Sequence, residues 1–119
     1  MAAPNLRNPV SVTGKTARYA VTVTLANALA NAAASGKSLK INSVYAANVD
    51  GVNSADISLS IFNGTTDFYI AKTIPVPPDS TQILVTREAY FYLEEGDSLR
   101  ALASAASDIE LIIGYEEIA

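Results

Sequence analysis

The stretch from residue 56 to residue 74 constrains the fold of this chain more than any other part of the sequence. Apolar and polar residues alternate through DISLSI (residues 56–61), Asn63-Gly64 follows, and TDFYIAKTI (residues 66–74) resumes a strand pattern. A period of two is typical of a strand with one buried face. Asn and Gly both tolerate the positive φ of a type I′ turn, so the pair predicts a β-hairpin closed by that turn.

Similar short runs, separated by turn-forming residues, occur along most of the chain. The predicted strands cover residues 17–25, 38–47, 56–61, 66–74, 82–85, 90–93, 99–103 and 108–116. In the last of these, Ile109, Leu111, Ile113 and Tyr115 are expected to point inward. About seven or eight short strands predict an all-β fold, a single antiparallel β-sandwich of jelly-roll or immunoglobulin-like type.

The two ends of the pattern define the domain organisation. Residues 1–12 contain two prolines and two asparagines, and we expect an extended N-terminal arm there. Residues 13–119 form the sandwich domain, since 119 residues suffice for one core. The alanine-rich stretch at residues 26–35 is ambiguous. It predicts either one short helix near residues 26–34 or an extended connection, because alanine favours helix.

Charge is distributed unevenly along the chain. Residues 1–49 contain five basic residues and no acid, whereas residues 50–119 contain three basic residues and all twelve acids. This asymmetry is either chance spacing on a solvated surface or a basic segment that docks on an acidic partner. Nucleic acid is not an expected partner because the chain is acidic overall. No membrane segment or signal peptide is visible, and we expect synthesis in a cytoplasm.

Motifs that suggest chemistry are weak in this sequence. Gly96–Leu99 reads GDSL, the signature of a family of serine esterases, but the chain has no His to serve as the base for Ser98. Gly14-Lys15-Thr16 and Gly36-Lys37-Ser38 lack the first glycine of a phosphate-binding loop. Cys is absent and the acids are scattered, although a calcium site at a loop stays open. We expect no enzyme, no cofactor and no metal site.

A family resemblance covers residues 38–119. This part resembles small virion proteins of tailed bacteriophages, especially those of cyanobacterial and aquatic phages. The resemblance rests on turns and strands, namely Ala47–Gly51, the Pro-rich break before Asp79-Ser80-Thr81, the Leu93–Ser98 turn, Ala103–Asp108 and the Tyr115-Glu116-Glu117 ending. It implies a noncatalytic protein of the virion.

The hypothesis that follows is a capsid decoration or cement protein that clamps neighbouring major capsid subunits and self-associates as a homotrimer. The candidate partner-binding residues are three basic ones, for acidic capsid groups, and three aromatic ones: Arg7, Lys15, Arg18, Tyr90, Phe91 and Tyr92. Two alternatives stay open. One is a neck, tail or baseplate adaptor or fibre-attachment protein, and the other is a carbohydrate-binding adsorption module whose exposed tyrosines hold the sugar.

Overall fold

Two antiparallel β-sheets packed face to face form the protein, as described by a computed structural model of residues 3–119. The strands are β1 (Val12–Ala20), β2 (Ala26–Ala30), β3 (Ser38–Asn48), β4 (Ala55–Phe62), β5 (Asp67–Val76), β6 (Thr81–Val85), β7 (Phe91–Leu93), β8 (Ser98–Ala103) and β9 (Ile109–Ile118). A turn of 3-10 helix at Arg87–Ala89 lies between β6 and β7. The predicted all-β antiparallel sandwich is confirmed.

Strand pairing in this fold is nested. β1 pairs with β9, β2 with β8, β4 with β5, and β3 with both β6 and β7. The first sheet has the order β1-β9-β3-β6, with β7 also beside β3, and the second has the order β2-β8-β4-β5. Early and late strands of the chain therefore lie side by side, as in one long hairpin rolled into two sheets.

The core lies between the two sheets and follows the alternation of the sequence. Every second residue of β4, β8 and β9 points inward, where Ile57, Leu59, Leu99, Ile109, Leu111 and Ile113 are fully buried. Tyr115 is half-buried and packs against this core. The inward positions predicted for the last strand are therefore confirmed, because a period of two assigns side chains to faces directly.

Residues 26–30 form a strand, so the short helix considered for residues 26–34 is wrong. β2 pairs with β8, with Ala26 opposite Ala101 and Leu29 opposite Leu99. The helix preference of alanine is worth less than 1 kcal/mol per residue. Cross-strand pairing and burial of Leu29 against the core outweigh it.

The first strand also differs from the prediction. It runs from Val12 to Ala20, whereas the alternation predicted residues 17–25. After Ala20 the chain crosses to the second sheet, since the Val21 amide donates to the Ile109 carbonyl and the Ala103 amide donates to the Thr22 carbonyl. Alternation continues through this crossing, which is why the sequence pattern places the strand too late.

The β4–β5 hairpin is confirmed, but its predicted type I′ turn is wrong. The loop has four residues, 63–66, and Phe62 pairs with Asp67 across its base. Gly64 has a φ of 96°, whereas Asn63 stays outside the positive-φ region. Asn63 Oδ1 instead accepts the amides of Thr65 at 2.9 Å and Thr66 at 2.8 Å. The asparagine acts here through its side chain and not through its backbone conformation.

Buried asparagines fasten the loops at both ends of the sandwich. Asn48 Nδ2 donates to the carbonyls of Asn53 and Val76, each at 2.9 Å. Asn31 Nδ2 donates in the same way to the carbonyls of Lys37 and Leu93, each at 2.9 Å. Both side chains are almost inaccessible to solvent. Each amide therefore satisfies two backbone acceptors from different loops, which a shorter side chain could not reach.

Candidate interaction surfaces

The N-terminal segment, residues 3–9, lies beside β7. The amides of Val10 and Ser11 both donate to the Ala119 carbonyl, at 2.7 and 3.0 Å, which ties the end of this segment to the C-terminus. Further out, a cavity of about 470 Å³ separates part of the segment from the sheet. Its lining consists of Ala3, Pro4, Leu6, Ser38, Phe91, Tyr92 and Glu94. The segment and the aromatic run thus share one surface, although Met1 and Ala2 lie outside the described residues.

Ile118 shows what this placement does. It is 7% exposed, yet it lies outside the contiguous core cluster. Alternation along β9 puts it on the same face as Glu116, the outer face of the first sheet. Ser38, which pairs with Ile118, also lines the cavity beside the N-terminal segment. The segment therefore lies over this end of the outer face.

The aromatic run divides between the two faces of the sheet. The rings of Tyr90 and Tyr92 meet edge to face with centroids 5.8 Å apart, and Lys40 Nζ lies 4.3 Å above the Tyr90 ring. Phe91 is half-buried and packs against the core. Tyr90 is 47% exposed. Tyr90 and Tyr92 thus offer aromatic edges and hydroxyls to a partner, while Phe91 borders the cavity.

The structure uses much of the charge asymmetry internally. Glu117 forms ion pairs with Lys15 and Lys37, each at 2.6 Å, and Glu116 lies 3.8 Å from Lys40. These hydrogen bonds, first that from Lys15 and then that from Lys37, hold the pKa of Glu117 below its ordinary value. The hydrogen bond to Glu117 raises the pKa of Lys15. Three of the five N-terminal cations thus face C-terminal acids of the same chain.

The remaining two N-terminal cations, Arg7 and Arg18, are exposed. Neither forms an ion pair with any residue in the described range 3–119. Arg7 lies in the N-terminal segment, where its amide donates to Asn5 Oδ1 at 3.0 Å. Arg18 lies on β1, opposite Ile112 of β9. The six predicted contact residues therefore do not form one cluster, and Lys15 is already paired.

A row of exposed apolar residues on the outer face of the first sheet was missed in the sequence analysis. Ile112 lies opposite Tyr45, and Tyr45 lies opposite Ile83. Their exposed fractions are 36%, 40% and 53%, respectively. The signal was present in the alternation, since Ile112 stands between the inward Leu111 and Ile113. The sequence pattern alone does not show that the three strands are adjacent.

A second apolar surface follows β5 at the edge of the second sheet. Phe68, Tyr69 and Ile70 are 60%, 43% and 38% exposed. Lys72 Nζ lies 4.8 Å above the Tyr69 ring. An edge strand with exposed apolar side chains is a general site of association between chains.

The GDSL motif is a turn followed by a strand. Gly96 has a φ of 89°, and Ser98 is the first residue of β8 and only 8% exposed. Asp97 Oδ2 accepts the Glu94 amide at 3.1 Å, which closes the turn. Within residues 3–119, no three His, Cys, Asp or Glu side chains are grouped so that they could hold a metal ion. No helix among these residues is long and apolar enough to cross a membrane.

Comparisons with known proteins give a similarity to one phage protein. No family model matches the chain, and no curated protein matches it. The fold is similar to the crystal structure of a pentameric capsid protein isolated from metagenomic phage sequences, with a TM-score of 0.41 and 17% sequence identity. The similarity covers 87% of this chain and 60% of that protein. The chain therefore spans less than two thirds of the length of the capsid protein that it matches.

Proposed function

We propose that the chain is a noncatalytic structural protein of a phage virion, a capsid decoration protein that clamps neighbouring major capsid subunits. The observation that carries this proposal is the shared surface of the N-terminal segment and β7. It combines the exposed cation Arg7, the half-exposed Leu6 and the exposed ring of Tyr90 beside a cavity. A surface with mixed apolar, aromatic and cationic groups suits contact with a large protein partner.

The strand order supports this proposal through the fold. Nested pairing of first with last, second with next to last, and so on is the arrangement of a jelly roll when β6 and β7 count as one interrupted strand. Of the two sandwich types considered, we therefore favour the jelly roll. Jelly rolls are common in viral capsid domains and also in lectins, so the fold agrees with the proposal without deciding it.

The resemblance of residues 38–119 to small virion proteins of tailed phages points the same way. It implies a place in the virion, assembled from chains made in the host cytoplasm. Under this proposal the partner is the major capsid protein or another virion protein. Self-association as a homotrimer belongs to the same proposal, and a mass measurement in solution tests it.

Deletion of the N-terminal segment tests the clamp. β1 begins at Val12 and the Val10 amide bonds to Ala119, so the deletion must stop at residue 9 to preserve the strand. We expect the shortened domain to remain folded and to lose binding to capsids that lack the wild-type protein. Unchanged capsid binding by the folded, shortened protein would contradict the clamp.

Copy number separates decoration from the adaptor alternative. A decoration protein is present in proportion to the major capsid subunits, whereas a neck, tail or baseplate adaptor is present only as a small ring. Quantitative mass spectrometry of purified particles gives this ratio. A ratio typical of a ring would replace the decoration role with the adaptor role.

A further inference from the structure

The outer face of the first sheet contains two bands of side chains that cross the same strands. The apolar band is the row of Ile112 on β9, Tyr45 on β3 and Ile83 on β6. The charged band lies toward the N-terminal segment, where Glu116 on β9 is opposite Lys40 on β3, with Lys40 Nζ 3.8 Å from Glu116 Oε1.

Between the two bands the face is low. Gly114 of β9 lies opposite Ser43 of β3, and both are small. A Cβ atom at Gly114 would lie only 2.8 Å from Ser43 Oγ, so the sheet leaves no room for a larger residue there. Two raised bands with a shallow strip between them give the face a defined shape.

The two bands are related by a simple symmetry. A two-fold axis placed between β9 and β3, parallel to the strands, exchanges Ile112 with Tyr45. The same axis exchanges Glu116 with Lys40, because both pairs lie on the same two neighbouring strands. An apolar residue therefore meets an apolar residue and an acid meets a base, as a two-fold interface between identical chains requires.

We propose that a second copy of this chain docks on this face, with the two first sheets packed face to face about that axis. Ile112 of one copy then packs on Tyr45 of the other, and Glu116 faces Lys40 of the other copy. Two aligned sheets pack about 10 Å apart, which leaves space for side chains of this size to interdigitate. The charged band sets the register, because a shift along the strands would separate the opposite charges.

This pairing extends the self-association in the proposed function but concerns the purified chain alone. It predicts a dimer and is thus an alternative to the homotrimer expected from the sequence. Its failure would leave capsid binding through the N-terminal segment untouched, and a failure to bind capsids would leave the dimer untouched. The two ideas are therefore separable by experiment.

Complementary charge reversals test the pairing. Lys40→Glu gives a face with two acids, and Glu116→Lys gives a face with two bases, so each variant alone is expected to be monomeric in analytical ultracentrifugation. An equimolar mixture of the two variants is expected to form a heterodimer, since each acid then faces a base of the other chain. Circular dichroism checks that both variants are folded.

Ile112→Arg provides a second test that does not alter an ion pair. It is expected to abolish the dimer, whereas the matched control Val52→Arg, at a residue that is 80% exposed in a loop, is expected to dimerise like the wild type. The proposal is overturned by a wild-type chain that is monomeric or trimeric over a full concentration series. It is equally overturned by a folded mixture of charge variants that stays monomeric, or by dimerisation of Ile112→Arg at wild-type strength.

Discussion

Lys15 Nζ donates a 2.6 Å hydrogen bond to Glu117 Oε2, which joins β1 near its start to the end of β9. Glu117 also pairs with Lys37, in the loop that leads into β3. One carboxylate thus fastens both the N-terminal strand and the entry to the central strand β3. The basic N-terminal residues and acidic C-terminal residues, which lie far apart in sequence, meet here in the folded chain.

Glu117→Gln tests this role through the pH dependence of stability. The folded-state pKa of Glu117 is lowered, so its contribution is present above its ordinary value of 4.5 and is lost as pH falls through the lowered pKa. We therefore expect a small loss of stability in the variant at neutral pH, and a difference from wild type that vanishes on acidification. Urea unfolding across a pH series measures this difference.

Glu88→Gln serves as the matched control for that experiment. Glu88 is exposed in the 3-10 turn and has no ion pair with any residue from 3 to 119. If Glu117→Gln and Glu88→Gln show the same stability at every pH, the ion pairs of Glu117 do not stabilise the fold. Added salt should also reduce the difference between wild type and Glu117→Gln, because it screens such pairs.

Asn48→Ala is expected to destabilise the domain by about 1–3 kcal/mol, since it leaves two backbone carbonyls without their donor. Asn48 is 2% exposed, so water cannot easily replace the lost amide. Asn27→Ala, at an exposed position of β2, is the matched control and is expected to change stability by much less. Chemical unfolding compares the two variants, and an equal effect of both would refute the role assigned to Asn48.

Gly96→Val is expected to cost roughly 1–3 kcal/mol, because a β-branched residue is strained at a φ of 89°. Ser98→Ala, two residues later, is expected to leave folding and particle binding almost unchanged. Thermal unfolding measures both. An esterase activity in the wild type that disappears in Ser98→Ala would show that the GDSL motif is catalytic after all.

Leu6→Asp is expected to weaken binding to capsids strongly while leaving the domain folded, because Leu6 borders the cavity at the proposed clamp surface. Val52→Asp changes an exposed apolar residue in the β3–β4 loop and is expected to bind like the wild type. Cosedimentation with capsids that lack the protein measures both. Equal binding by the two variants would place the contact elsewhere.

The sequence pattern predicted those parts of the fold in which local alternation and burial agree. Ile57, Leu59 and Ile61 alternate and are inward or packed on the core, and the hairpin after them formed as expected. β2 was not predicted as a strand because its preference is set by pairing with β8, more than 60 residues away in sequence. Such long-range pairing leaves little trace in a local pattern.

The candidate surface could be predicted only in part for a similar reason. Arg7 and Tyr90 are exposed, as a contact role requires, but the neutralisation of Lys15 depends on β1 lying beside β9. The apolar row of Tyr45, Ile83 and Ile112 likewise depends on strand order. Residue type and alternation identify the face of each side chain, whereas strand neighbours decide what shares that face.

The most direct test of the proposed function is cryo-electron microscopy of intact particles of the phage that encodes this chain. We expect density for the sandwich on the outside of the head, at the junctions between major capsid subunits, with residues 3–9 and β7 facing the shell. Density for the chain at the neck, tail or baseplate, or none on the head, would contradict the account.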